Sequence, residues 1–97
     1  MSFVMLYKTK VKEESIEKLA SLRSQFNEVY EEHGVNVIGH WHKEGKQTKY
    51  YTMISYADET EYHATVQKLQ ADERYAKLSE ELKQIRKDFE SKRLIPA

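Results

Sequence analysis

The stretch Phe-Val-Met-Leu-Tyr at Phe3–Tyr7 contains no polar residue to mark a wet side. Aromatic and aliphatic residues of this kind favour an extended chain, and the run to Thr9 is predicted as a strand. Successive side chains of a strand leave opposite faces, so Phe3, Met5 and Tyr7 point one way and Val4 and Leu6 the other. A sheet with one solvated face would alternate apolar and polar residues, and this strand does not. The same holds from Lys49 to Tyr56, where Tyr50, Ile54 and Tyr56 oppose Tyr51 and Met53. It holds again from Val35 to His42, where Val35, Val37 and Trp41 oppose Ile38. Any sheet built from these strands needs cover on both faces.

The rest of the chain supplies cover for one face. From Ser15 the apolar residues Ile16, Leu19, Phe26 and Tyr30, with His33, recur at helical spacing. Leu22 and Val29 widen that stripe, charged residues fill the remainder, and Gly34 stands where a left-handed cap is cheap. Between the second and third strands "KEGKQT" offers glycine-containing turn chemistry, which predicts a hairpin. Asp58 can cap a second helix, with Glu61 placed for a capping box and Tyr62, Val66 and Leu69 as its stripe. The stripe then slips phase: Tyr75, Leu78, Leu82 and Ile85 start a new one, and Asp72 can cap it. A break at Ala71–Asp72 follows. After Lys87, "DFESKRLIPA" reads as a short fourth strand ending at Pro96.

The order β-α-β-β-α-β, with the second helix split, predicts an α+β ferredoxin-like fold: one antiparallel sheet with helices on one face. The chain has no further element for the other face. A homodimer packed sheet against sheet, a dimeric α/β barrel, meets the need directly. Its 97 residues fit a single domain, 1–97.

Composition narrows the function classes. Sixteen basic and sixteen acidic residues are mixed along the chain, with no basic run that would draw in nucleic acid or a membrane surface. Cysteine is absent, which excludes disulfides, thiolate metal sites and thiol nucleophiles and suits a reducing compartment. The five-residue apolar run at the start is too short for a signal peptide or a membrane span, so a cytoplasmic protein is expected. No glycine-rich phosphate loop, nucleophile elbow or zinc-protease pattern occurs.

The segment "HGVNVIGHWHKEGKQTKYYTMISYAD" resembles the NIPSNAP family, whose pattern runs His-Gly, a hydrophobic strand, Gly-x-Trp, a turn, and a returning strand ending in Tyr. His33, Gly34, Gly39, Trp41, Gly45 and Tyr56 carry the match. In "ADERYAKLSEE", Asp72 and Tyr75 resemble a family Asp-x-x-Trp, with Tyr75 in place of the tryptophan, and "SKRLIPA" resembles the family's close. "TKVKEES" lacks the Pro-Gly common after the first strand. The resemblance implies a dimeric α+β barrel of undefined biochemical role. Relatives by fold include cofactor-free monooxygenases acting on aromatic rings and haem-degrading enzymes, and fold does not fix function.

The chemistry open to such a chain is limited. His40 and His42 leave the same face of a strand, a spacing that can share zinc, copper or iron. A third ligand, His63 or Glu44, would have to be recruited, and histidines that bind no metal are the commoner outcome; neither metal nor cofactor is expected. Trp41 points away from both histidines and could stack on an aromatic ligand, as could Tyr7 or Tyr51, or could simply pack an interface. A small, partly apolar ligand in a sheet-lined cavity is therefore expected to meet Tyr7, His40, His42 and Tyr51. The alternatives are a cofactor-independent oxygenase acting on an aromatic substrate, with a tyrosine or histidine as base, and a haem binder using His33, His40, His42 or His63. His33 falls in the last turn of the first helix, where a cation suits the helix dipole.

Overall fold

The computed structural model describes residues 2–97. Its elements run β1 (Phe3–Val11), one 3₁₀ turn (Glu13–Ser15), α1 (Ile16–Glu32), β2 (Asn36–Lys43), β3 (Lys46–Tyr56), α2 (Glu59–Ala71), α3 (Glu73–Ile85) and β4 (Arg86–Leu94). The strands form one antiparallel sheet in the order β2-β3-β1-β4. This is the α+β, ferredoxin-like arrangement with its second helix divided.

Local chemistry explains the boundaries. Gly34 takes φ +67° just beyond α1, and Gly45 takes φ +77° in the hairpin turn. Both conformations cost a residue with a Cβ. At the start of α2, Glu61 N–H donates to Asp58 Oδ1 at 2.8 Å, and the Glu61 carboxylate turns back to accept from Ala57 N–H. At the phase slip Asp72 is extended (φ −86°, ψ 117°) and its carboxylate accepts from Arg74 N–H at 2.9 Å. Re-phasing lets Leu69 of α2 and Leu78 of α3 join one buried cluster with Leu22 and Val29 of α1. A continuous helix would have carried Leu78 off that face.

Register assigns the sheet faces. Phe3, Met5, Tyr7 and Thr9 of β1 lie opposite Tyr56, Ile54, Thr52 and Tyr50 of β3, beneath the helices. Val4, Leu6, Tyr51 and Met53 occupy the other face, where Trp41 pairs with Tyr51 and Gly39 with Met53. Two sequence expectations need correction here. Val37 and Trp41 do not share a face, because the register shifts between Val37 and Gly39 and bulges Ile38 outward. The basic residues, spread in sequence, gather in space: Lys10 pairs with Lys49 and Lys43 with Lys46 around the hairpin end. Lys43, and after it Lys46, Lys10 and Lys8, hold the Lys49 ammonium below its ordinary pKa.

The outer edge of the Trp41 ring lies close to Gly39: a Cβ on that glycine would stand 2.9 Å from Trp41 Cη2. The ring stays 48 % exposed, and Ile38 is 49 % exposed beside it. α1, α2 and α3 all contribute to the opposite layer, so this apolar face has no cover from its own chain.

Candidate functional site

Between the sheet and the three helices lies a cavity of about 290 Å³. Its floor arises from the pairing of β1 with β3. Tyr7 stands opposite Thr52 and Tyr50 opposite Thr9, so each large ring sits beside a small side chain and space opens above the threonines. Its roof comes from the apolar stripes of α1 and α3, including Leu22, Phe26 and Leu82, with Val66 and Leu69 of α2.

Five tyrosines line it: Tyr7, Tyr30, Tyr50, Tyr56 and Tyr75. Tyr7 stacks on Phe89 with ring centroids 6.1 Å apart, and Phe26 meets Tyr75 edge-on at 5.7 Å. Burial pushes all five phenols above their ordinary pKa, with neighbouring phenols adding to the rise at Tyr7 and Tyr30. They therefore remain neutral hydroxyls throughout the physiological range, able to donate and to accept.

His40 is the most highly connected polar residue in the cavity. Its Nε2 lies 2.9 Å from Asn27 Oδ1, and its Nδ1 lies 2.5 Å from the Tyr50 hydroxyl and 3.0 Å from Thr52 Oγ1. The consistent assignment has Nε2–H donating to the Asn27 carbonyl oxygen while Nδ1 accepts from the Tyr50 hydroxyl. Burial, and then the charge of Arg23, depress the imidazole pKa and favour this neutral tautomer. The Tyr50 ring stacks on His40 at 5.6 Å, and the Arg23 guanidinium lies 5.9 Å from the Tyr50 ring centre.

Of the residues singled out from sequence, the fold brings Tyr7 and His40 together at this cavity. His42, though on the same face as His40, is exposed, with Nδ1 3.2 Å from the Lys43 carbonyl oxygen. Tyr51 is on the uncovered face beside Trp41, and neither His42 nor Tyr51 lines the cavity. Tyr7 conversely belongs to the helix-covered side rather than to the open face.

The other two histidines have structural surroundings. His33, at the end of α1, reaches across to Asp72 Oδ2 at 2.9 Å, tying α1 to the α2–α3 junction. Arg74, and then His33, hold the Asp72 carboxyl well below the usual carboxylate range. His63 is exposed and lies 3.1 Å from Glu59 Oε2 one turn earlier. Among the described residues no three His, Cys, Asp or Glu side chains come close enough to hold a metal. No described helix is long and apolar enough to cross a membrane.

Sequence reasoning missed Tyr30, Tyr75, Arg23 and Asn27 as site residues. Tyr30 and Tyr75 fall within the apolar stripes of their helices, which by spacing alone mark a buried face and not a binding group. A phenol inside an apolar stripe still signals a polar tip that needs a partner when buried.

The sequence pattern of one family, described as NIPSNAP, matches residues 5–97. No curated protein sequence matches the chain. Among solved structures, the fold is similar to that of a NIPSNAP family protein from Agrobacterium tumefaciens, at 17 % identity and TM-score 0.87, over 100 % of this chain and 94 % of that one. It is similar also to an uncharacterized NIPSNAP domain protein from Burkholderia xenovorans (15 % identity, TM-score 0.85, 98 % and 94 % of the two chains). A protein described as an antibiotic biosynthesis monooxygenase shares the fold at 10 % identity and TM-score 0.79, over 98 % of each chain.

Proposed function

Given that the chain belongs to the NIPSNAP family, we propose that it works as a cytoplasmic homodimer holding a small, partly apolar ligand in the cavity between sheet and helices. The observation that carries this is the cavity's make-up: about 290 Å³ lined by aromatic and aliphatic side chains, with a few convergent polar groups at His40, Tyr50 and Arg23. Small-molecule sites have this composition, and the volume suits a ligand of one or two rings. His40 and the tyrosine hydroxyls would orient it.

Homodimerisation is supported by the open face. Val4, Leu6, Tyr51 and Met53, all partly exposed, share that face with the half-exposed Trp41, and apolar side chains gathered on one face suit an interaction surface. A second copy placed sheet to sheet would bury it, at the scale of ~1,200–2,000 Å² typical of stable interfaces.

A second reading, an oxygenase acting on an aromatic substrate without a cofactor, draws support from one feature. His40 is a neutral imidazole whose Nδ1 already takes a hydrogen bond from a phenol, Tyr50. A bound phenol or quinol in place of the Tyr50 hydroxyl would find a base there.

Filling the cavity tests the binding reading. Ser79 lines it from α3, and Ser79→Phe would occupy it. Small aromatic compounds should bind the wild-type chain by calorimetry and not this variant. Equal binding to both would refute the site. Oxygen consumption with quinols by the wild type, abolished in His40→Gln, would favour the oxygenase over a simple binder.

A further inference from the structure

The charged groups around the cavity are of one sign. Arg23, Lys83 and Arg86 line it, and no Asp or Glu does. Among the described residues none of these three cations makes an ion pair, although Lys18 and Arg74 on the same helices do. In a chain with equal numbers of acids and bases, this segregation is a local property of the site.

Register shows how two of the cations are deployed. Thr9 of β1 lies opposite Tyr50 on one side and Phe89 on the other. Strand spacing puts those two rings ~10 Å apart with only a threonine between them. Arg23 stands 5.9 Å from the Tyr50 ring centre and Arg86 4.6 Å from that of Phe89. Two guanidinium groups thus flank a gap walled by aromatic rings. Lys83 in the last turn of α3 adds a third charge at this end. The other end, at Tyr30, Tyr56 and Tyr75, offers phenols and apolar surface, and the remaining polar lining residues, Gln70 and Ser79, are uncharged. The cavity is therefore cationic at one end and aromatic at the other.

We infer that the ligand is an aromatic carboxylate, bound with its anionic group between Arg23 and Arg86 above Thr9 and its ring directed toward Tyr7, Tyr30 and Tyr75; this rests on the ligand-binding reading proposed above. Guanidinium groups match carboxylate oxygens in geometry and form charge-assisted hydrogen bonds with them. A cationic ligand would meet three like charges and no partner. A neutral one would gain the aromatic contacts but leave both guanidinium groups with only their ring contacts and no anionic partner.

A matched pair of probes tests this. 2-Naphthoate and 2-naphthamide share the ring and differ in charge, and both can be titrated by calorimetry at low salt. Naphthoate should bind at least about tenfold more tightly, the difference expected of a charge-assisted contact. Arg23→Gln and Arg86→Gln should each remove most of that preference for naphthoate over naphthamide, and Arg23→Lys should retain part of it. Lys46→Gln, in the lysine group at the hairpin end, should leave the preference intact. Equal affinity for the two probes would overturn the assignment of charge while leaving the cavity as a binding site. So would a preference abolished by Lys46→Gln but not by the arginine variants. Failure of both probes to bind would overturn the binding reading itself, and this inference with it.

Discussion

Gly39→Ala isolates the role of the open face, because the substitution acts on one neighbour. Gly39 has no left-handed backbone to preserve, so alanine is conformationally acceptable there. Its Cβ would stand 2.9 Å from Trp41 Cη2 and 3.1 Å from Cζ2, closer than real contacts allow. What must move is the far end of a half-exposed indole, which can swing away. Holding the ring ~30° from a staggered rotamer costs about 0.5–1.5 kcal/mol. Replacing a strand glycine returns about 0.5–1 kcal/mol through lower unfolded-state entropy. Within one copy the two nearly cancel, and folding stability at fixed dimer content should change by less than about 1 kcal/mol. The proposed dimer should respond differently. A tryptophan at the centre of an interface commonly contributes 2 kcal/mol or more, so tilting it out should weaken association by about thirtyfold. Trp41 is the only tryptophan in the chain, so its emission reads this face directly. Sedimentation equilibrium with emission spectra across a dilution series measures both effects. A Gly39→Ala protein whose indole emission shifts while its dimer constant stays that of the wild type would refute a packing role for Trp41 in the interface.

Three further outcomes are expected. Leu22 is fully buried and adjoins the cavity, so Leu22→Ala leaves space that neighbours already at a void cannot collapse into. The loss should fall in the upper half of the ~2–5 kcal/mol range for such truncations, and a denaturant midpoint shift of under ~1 kcal/mol would show the site relaxes freely. His40 has its folded pKa below the unfolded value, so the stability it confers is complete above about pH 6.5 and declines as pH falls through the folded pKa. His40→Gln should flatten that part of the stability–pH profile; an unchanged slope would contradict the assignment. Asp72 likewise stabilises fully above its unfolded pKa of about 4 and loses this as pH falls further, so Asp72→Asn should remove the more acidic part of the decline and lower stability at neutral pH.

Much of the fold was legible because local signals agreed with one another. The phase slip after Leu69, together with an aspartate able to cap, located the helix break at Ala71–Asp72. Strict alternation separated Tyr50, Ile54 and Tyr56 from Tyr51 and Met53. Alternation failed in β2, since one bulged residue at Ile38 inverts the faces after it and leaves no reliable mark in the sequence. β3 begins at Lys46 rather than Lys49, because strand pairing across the tight turn overrides the polar character of Lys46–Thr48. The site was only partly legible. Tyr7 is on a strand whose faces could be counted, whereas His40 lies past the bulge at Ile38 and reaches the cavity face only through it. Arg23, Tyr30, Tyr75 and Arg86 reach the same space from helices and a strand start far apart in sequence. Their convergence depends on how α1 and α3 lie against the sheet, which no local pattern encodes.

The claim that the cavity, and not the open face, receives the ligand can be tested in one spectrum. With every tyrosine ring carbon-13 labelled, the protein can be titrated with 2-naphthoate while the seven ring signals are followed. The expected result is a saturable movement of Tyr7, Tyr30, Tyr50 and Tyr75, with Tyr51 on the opposite face unmoved. Movement of Tyr51 alone, or of no tyrosine while calorimetry records binding, would contradict it.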